Sequence, residues 1–248
     1  MGEEWDKIWQ NELERLNSNS KWVFNDNLSK EIYLTLKREI GDIKGKKILE
    51  AGSGSGRISL KLALDGAHVY LLDYSDKALE VSKKYFERYN CEGEFIKADL
   101  TKKLPFKDDF FDIVWNGGVM EHFDLQEQIS ISREIFRIAK EFHTFNPYTK
   151  SFFYRLGKWT AEMTKNWPYG VEHPVTTMKN IFERSGFILQ REYSVAHVIS
   201  LDFLVFLKGG NDVAQGIKIY LENLNEEERK ETLEQLGGYL LYSKGLKN

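Results

Sequence analysis

A short glycine-rich segment at residues 50–56 combines a flexible backbone with a charged side chain that could hold a small ligand. Glycines stand at alternate positions, Gly52, Gly54 and Gly56, and the carboxylate of Glu50 precedes them. Alternate glycines allow a sharp turn and let a ligand approach the main-chain N–H groups at the start of a helix. A dinucleotide-binding loop would have a third small residue where this chain has Arg57. The carboxylate at the start of the loop favours a ligand that carries an ammonium group and no phosphates.

Strands and helices that could position this loop are predicted to alternate regularly over residues 46–145. Short apolar runs are separated by helical patterns, which is typical of βαβ units in a parallel sheet. In such a sheet, ligands bind outside the carboxyl ends of the strands. The glycine-rich loop directly follows the first apolar run. We therefore expect the binding site at that edge of the sheet.

Four segments of this region form an ordered set of motifs. Residues 50–56 are followed by an apolar run that ends in Asp73, by residues 95–100 and by residues 111–116. This set resembles the motifs of the class I S-adenosylmethionine-dependent methyltransferases and covers roughly residues 45–145. The resemblance implies an α/β fold with a Rossmann-like, seven-stranded, mostly parallel sheet and helices on both faces. It also implies S-adenosyl-L-methionine as the cofactor. The chain is most similar to the small-molecule branch that includes enzymes of ubiquinone and menaquinone biosynthesis.

The resemblance implies cofactor roles for the first motif. Gly52, Gly54 and Gly56 would let the loop approach the amino-acid and ribose parts of the cofactor. Glu50 would bind the cofactor amino group directly or through water, and the alternative is that it only caps the following helix. Arg57 could pair with the cofactor carboxylate or face solvent.

The second and third motifs supply the other implied cofactor contacts. Asp73 would accept hydrogen bonds from both ribose hydroxyls, and the ring of Tyr74 would pack on the adenine. Asp99 would receive the adenine amino group, with the backbone N–H of Leu100 facing the ring. The alternative for Asp99 is a solvated loop carboxylate.

Methyl transfer from a sulfonium needs alignment of acceptor, methyl carbon and sulfur, and exclusion of water. It needs no metal, and none is expected. Asn116 and Gly117, at the end of the fourth strand, are expected to border the methionine portion. A hydroxyl or protonated amine acceptor needs a base, for which histidine is the usual residue. The candidates for this base are His122, which follows the fourth strand, and His173. Alternatively, His122 has a scaffold role and His173 lies in an exposed loop.

Residues 146–174 are the main candidate for acceptor recognition. They combine many aromatic rings with Arg155, Lys158 and Lys165, which suits a flat or carboxylated small molecule. The alternative is that most of these rings pack an irregular loop onto the core. In similar methyltransferases the N-terminal helices often cover the site, so Trp22 and Phe24 could also line it.

The domain organisation is predicted as a single methyltransferase domain over residues 1–248. Residues 1–45 would form an N-terminal helical cap, 46–199 the cofactor-binding core, 200–237 a helical insertion and 238–248 the final strand. A helix that starts with a capping box at Asp124 and Glu127 would precede the fifth strand. Residues 146–175 show no clear long element. The insertion could act as a lid or as the surface of a homodimer.

Composition limits the classes of partner and compartment. The chain has 35 basic and 38 acidic residues and a formal net charge of −3, so no nucleic-acid partner is expected. The single Cys91 excludes an internal disulfide and fits a reducing compartment. No secretory signal is visible at the N-terminus, and the apolar stretch at residues 198–207 is too short to span a bilayer. We therefore expect a cytoplasmic protein.

Two other functions remain open at this stage. The first is a methyltransferase acting on RNA or protein; enzymes that methylate amino groups there often carry an Asn/Asp-Pro-Pro-Tyr/Phe motif after the fourth strand. This chain has Asn116-Gly117-Gly118-Val119 at that position, which argues against that branch. The second is a non-catalytic cofactor-binding subunit, which the complete set of cofactor positions disfavours.

Overall fold

The computed structural model describes residues 2–17 and 26–247. The strands are β1 (Lys47–Ala51), β2 (His68–Asp73), β3 (Glu94–Lys97), β4 (Phe111–Gly117), β5 (Ala139–Pro147), β6 (Ile188–Val195) and β7 (Leu240–Leu246). The helices are α1 (Gly2–Asn17), α2 (Asn27–Ile40), α3 (Arg57–Leu64), α4 (Asp76–Arg88), α5 (Leu125–Ile138), α6 (Phe152–Met163), α7 (Lys179–Ser185), α8 (Gly210–Asn223) and α9 (Glu226–Leu236). Trp22 and Phe24, which were predicted to line the site, lie outside the described residues.

All seven strands form one sheet with the order β3-β2-β1-β4-β5-β7-β6. The pairs among β1 to β5 are parallel, whereas β7 runs antiparallel to both β5 and β6. The strand order reverses between β1 and β4, which places a crevice at the carboxyl ends of these two strands. The predicted mostly parallel sheet and its antiparallel last strand are confirmed.

Two hydrophobic cores lie on opposite faces of the sheet. Ile48 of β1 belongs to the first core and Leu49 to the second, because successive side chains of a strand point to opposite faces. The first core is covered by α1 to α4 and includes the fully buried Leu36. The second is covered by α5 and α7 and includes Ile135 and Phe182. Helices therefore cover both faces, as predicted.

The capping box predicted at the start of α5 is present. The Asp124 side chain accepts hydrogen bonds from the backbone N–H groups of Gln126 and Glu127, and the Glu127 side chain accepts from the Asp124 N–H. The helix ends at Ile138, and the chain enters β5 at Ala139 without an intervening loop. This short connection fixes β5 directly beside β4.

The region after β5 differs from the prediction. Residues 152–163, expected to be irregular, form helix α6, which packs against a 3₁₀ segment at Val198–Phe206. A third, smaller core joins α6, this segment and α8 through Phe153, Leu204 and Leu221. The predicted helical insertion before the last strand is present as α8 and α9. Within residues 2–17 and 26–247, no helix is both long and apolar enough to cross a membrane.

Candidate active site

A cavity of about 400 Å³ opens at the carboxyl ends of β1, β2 and β4. Most of the predicted site residues line it, and they are Glu50, Gly52, Gly54, Asp73, Tyr74, Asp99, Leu100, Gly117 and His122. Strand register explains this convergence, because the residues that follow parallel strands meet at one edge of the sheet. Helix α1 and the loop after α6 supply the remaining walls.

The glycine loop is held in place by β2 and by α1. The N–H groups of Gly52 and Ser53 both donate to the Leu72 carbonyl, at 2.8 and 2.9 Å. Gly54 has a φ of +50°, and a Cβ there would lie 2.7 Å from the indole of Trp9. Both the left-handed backbone and the close indole therefore require glycine at this position.

Asp73 connects the glycine loop to the start of α4. Its Oδ2 accepts from the Gly54 N–H at 2.9 Å and its Oδ1 accepts from the Ser75 N–H at 3.0 Å. Burial raises the pKa of this carboxyl, although the backbone N–H bonds oppose the shift. Each carboxylate oxygen keeps a lone pair for a further donor.

Glu50 places a buried carboxyl beneath the loop. Its Oε2 has no hydrogen-bond partner among the described residues, and the residue is only 6 % exposed. Burial raises the pKa of Glu50 to about 8, the nearby Asp73 adds to the shift, and Ser59 and Arg57 oppose it. A cationic group in the cavity would compensate this carboxylate.

Tyr74 and Asp99 line the cavity from the segments after β2 and β3, and the side chain of Tyr74 is 44 % exposed. Asp99 accepts hydrogen bonds from the N–H and the hydroxyl of Thr101, both at 2.8 Å. The exposed side chain of Asp99 is thus held in one orientation at the rim.

Helix α1 covers part of the cavity. Trp5 and Trp9 line it, and the Asp6 carboxylate accepts from the Ser75 hydroxyl at 2.5 Å. Both tryptophans reach the cavity because α1 packs against the glycine loop and against α4.

The other end of the cavity contains residues from two separate segments. Glu121 and His122 lie in the 3₁₀ turn Met120–His122 after β4, and Tyr169 and Glu172 lie in the loop after α6. Burial raises the pKa of Glu121 to about 8, and it lowers the pKa of His122. Sequence analysis missed Glu121 and Glu172 as site residues. The sequence could have indicated Glu121, because it is adjacent to His122. It could not have indicated Glu172, which reaches the cavity only through the fold of the loop after α6.

Three predicted site residues do not line the cavity. Gly56 has a φ of +63°, and a Cβ there would lie 2.4 Å from Leu71 and 2.8 Å from the Ser82 hydroxyl, so it serves close packing of α3 on the sheet. Asn116 is fully buried between β4 and β5, where its Oδ1 accepts from the Thr144 hydroxyl at 2.6 Å. The side chain of His173 is exposed, and its backbone N–H donates to the Glu121 carbonyl at 2.7 Å.

The cations of the acceptor segment also lie elsewhere. Arg155 stacks over the exposed Trp159 ring, and Lys158 is buried and pairs with Glu162 at 2.8 Å. Lys165 lies in a left-handed turn after α6. None of the three cations is among the residues that line the cavity. The expectation of a carboxylate-binding acceptor pocket therefore has no support from these side chains.

The known proteins that this chain resembles in sequence are methyltransferases. The model for the family "Methyltransferase domain" matches residues 48–141. A demethylmenaquinone methyltransferase of Clavibacter sepedonicus is 40 % identical over 77 residues, which is 31 % of this chain and 31 % of that protein. A ubiquinone biosynthesis O-methyltransferase of Nitrosomonas europaea is 27 % identical over 122 residues, which is 47 % of this chain and 51 % of that protein. The matches thus span about a third to a half of these relatives.

The fold extends the similarity beyond the matched segment. The crystal structure of magnesium protoporphyrin IX methyltransferase from Synechocystis PCC 6803, with bound SAH, superposes with a TM-score of 0.59 at 16 % identity. The superposition covers 89 % of this chain and 82 % of that chain. At this identity the likeness concerns the fold. Residues 48–141 thus match the methyltransferase-domain family, and the fold is shared with a methyltransferase of known structure.

Proposed function

We propose that this protein transfers a methyl group from S-adenosyl-L-methionine to an O, N or C atom of a small-molecule acceptor. The observation that carries the proposal is the convergence of Glu50, Asp73 and Asp99 on one cavity. These three carboxylates follow three parallel strands, and each can bind a different donor group of the cofactor.

The cofactor would lie along the carboxyl ends of β1 to β3. The unpartnered Oε2 of Glu50 suits the ammonium group, and the lone pairs left on Asp73 suit the two ribose hydroxyls. Asp99 and the Leu100 N–H would contact the adenine edge, and the exposed ring of Tyr74 would pack on its face. Gly117 borders the cavity where the methionine portion would lie.

The acceptor would enter at the end formed by Trp5, His122, Tyr169 and Tyr239. The sulfonium supplies an electrophilic methyl group, so the protein mainly aligns the acceptor and excludes water. A carbonyl oxygen can only accept, so the His122 Nδ1 that lies 3.0 Å from the Val171 carbonyl carries the proton. Its Nε2 then has a lone pair in the neutral ring, which burial favours by lowering the pKa of His122. His122 is therefore suited to accept a proton from the acceptor.

Cofactor binding is tested by calorimetric titration with S-adenosylhomocysteine. Asp73→Asn should weaken binding at least tenfold, because an amide accepts at only one of its two heavy atoms. Asp202→Asn removes the same charge from an exposed ion pair with Lys218 and should leave the affinity unchanged. Absence of binding by the wild-type protein would overturn the proposal.

The acceptor class is tested with methyl-labelled cofactor and separate metabolite, RNA and protein fractions. Label in the metabolite fraction supports a small-molecule enzyme. Label found only in RNA or protein would favour a macromolecular acceptor instead. Binding of the cofactor without label in any fraction would favour a non-catalytic subunit.

A further inference from the structure

Two carboxylates and one imidazole meet at the acceptor end of the cavity. Glu121 and His122 come from the 3₁₀ turn after β4, and Glu172 comes from the loop after α6. The two segments are joined by the bond from the His173 N–H to the Glu121 carbonyl and by the contact of His122 Nδ1 with the Val171 carbonyl. These two hydrogen bonds hold the two segments, and with them the three side chains, next to each other.

The spacing of these side chains fits a single metal ion. One ligand atom from each of Glu121, His122 and Glu172 can be chosen so that all lie within 4.8 Å of one another. Two ligands on opposite sides of one ion, each bonded at roughly 2.0–2.6 Å, are separated by about 4–5 Å. We propose that Glu121, His122 and Glu172 form a binding site for a divalent metal ion.

The bonding state of each side chain supports the proposal. Glu121 is 2 % exposed, lines the cavity, and has no hydrogen-bond partner at Oε2 among the described residues. A buried carboxylate without a partner is costly, and a cation compensates it. The imidazole of His122 donates through Nδ1 to the Val171 carbonyl, which leaves Nε2 available as a ligand. This carbonyl-to-histidine contact is the usual way in which a protein orients a metal-binding histidine.

The charges around the cluster are compatible with a cation. The Glu172 side chain is 4 % exposed and accepts from the Tyr154 hydroxyl at 2.9 Å. Lys158 approaches Glu172 at 3.5 Å but lies closer to Glu162, at 2.8 Å, and over the Trp167 ring. Two carboxylates would therefore balance a divalent ion, while Lys158 keeps its own partner.

The ligand set indicates the kind of ion. Carboxylates suit Mn²⁺ and Mg²⁺, imidazole suits Zn²⁺ and other transition metals, and the mixed set here favours Mn²⁺ or Zn²⁺. Three protein ligands leave coordination positions open, as in catalytic sites. Because Glu121, His122 and Glu172 all line the cavity, those positions would face the acceptor.

The consequence for catalysis rests on the proposed methyl transfer. An acceptor hydroxyl bound to the ion would lose its proton to water more readily, since a bound cation lowers the pKa of an oxygen ligand. The resulting oxyanion would then form a bond to the methyl carbon. The bond from that carbon to sulfur would break, and its electron pair would neutralise the sulfonium. In this arrangement the ion, rather than His122, makes the acceptor nucleophilic.

Metal binding is tested directly, without activity. Mn²⁺ is titrated into the full chain and followed by electron paramagnetic resonance, and Zn²⁺ is titrated separately by calorimetry. We expect one saturable site per chain for at least one of these ions. Glu121→Gln and His122→Gln should each weaken that site at least tenfold. Glu222→Gln, which removes one charge from the exposed surface of α8, should leave it unchanged.

Parallel titrations with S-adenosylhomocysteine separate this proposal from the proposed function. The circular dichroism spectrum of metal-free Glu121→Gln should match that of the wild type, which shows that the variant is folded. Absence of saturable binding of both ions up to about 1 mM, or equal binding by wild type and Glu121→Gln, overturns the metal site. Metal binding that depends on Glu121, in a protein that does not bind S-adenosylhomocysteine, would uphold the metal site and overturn only the methyltransferase proposal.

Discussion

Binding of S-adenosylhomocysteine should release a proton from Glu50. The buried carboxyl has a pKa of about 8 in the empty protein, so about 0.9 of the molecules carry the proton at pH 7. The ligand's ammonium beside Glu50 would favour the ionised form. If the pKa falls below about 5 in the complex, about 0.9 proton is released per ligand at pH 7 and about 0.5 at pH 8.

The same equilibrium sets the pH dependence of affinity. Since ligand binding must first remove the proton from Glu50, affinity should rise as the pH rises. From a pKa of about 8, the expected gain is about ninefold between pH 6 and pH 7 and about fivefold between pH 7 and pH 8. Above pH 9 this contribution should be exhausted.

Calorimetry in two buffers of different ionisation enthalpy measures the number of protons released. At pH 7 the number should fall by about 0.9 in Glu50→Gln, because the amide has no proton to lose. Asp99→Asn, at the rim of the same cavity, should weaken binding but keep the proton release. Equal proton release by the wild type and Glu50→Gln would refute the reasoning, since Glu50 would then not be the group that meets the ammonium.

Three further outcomes concern stability. Because the pKa of Glu50 in the folded protein, about 8, exceeds its ordinary value of 4.5, Glu50 should contribute about 2 kcal/mol to the fall in the free energy of unfolding from pH 6 to pH 8. Burial also raises the pKa of Glu121 to about 8, so urea unfolding of Glu50→Gln should show a fall that is smaller by about 2 kcal/mol but still present. Gly56→Ala should lower the free energy of unfolding by about 2–4 kcal/mol, because the backbone is left-handed there and the new Cβ would clash with packed side chains. Gly45→Ala should lower it by only about 1 kcal/mol, because Gly45 has a similar φ but open space around it. Equal losses in urea unfolding would contradict the clash at Gly56. Lys158→Met should cost about 3 kcal/mol in the same measurement, because it removes a buried ammonium that lies beside both Glu162 and Glu172, and an unchanged midpoint would contradict this contribution.

The core of the fold was predictable because its signals are local. The glycine loop, the alternation of strands and helices, and the capping boxes that begin α5 and α9 each involve residues close together in the sequence. The spacing of Glu50 and the three glycines, together with the acids that end later strands, was enough to indicate the family. Local patterns of this kind predict elements and the order in which a parallel sheet arranges them.

Helix α6 was missed although Phe153, Gly157 and Ala161 recur at helical spacing on its buried face. Phe153 and Tyr154 are buried, whereas Phe152 and Trp159 are more than half exposed. Gly157 lies within the helix, and a Cβ there would come within 2.2 Å of the Phe203 carbonyl oxygen. Glycine has a low helix propensity, and the exposed aromatic residues fall outside the buried face, so both features obscure the helical pattern in the sequence.

The sequence by itself determined the sheet and the edge at which Glu50, Asp73 and Asp99 meet, and it indicated the family, because a parallel sheet must bring the residues at the ends of its strands to one edge. Only the tertiary structure decided the remaining walls of the cavity. It placed Trp5 and Trp9 on the cavity, turned Asn116 and His173 away from it, and brought Glu172 to Glu121. These positions depend on how α1 and the loop after α6 dock onto the sheet, and docking is set by packing between residues far apart in the chain, which no local pattern records.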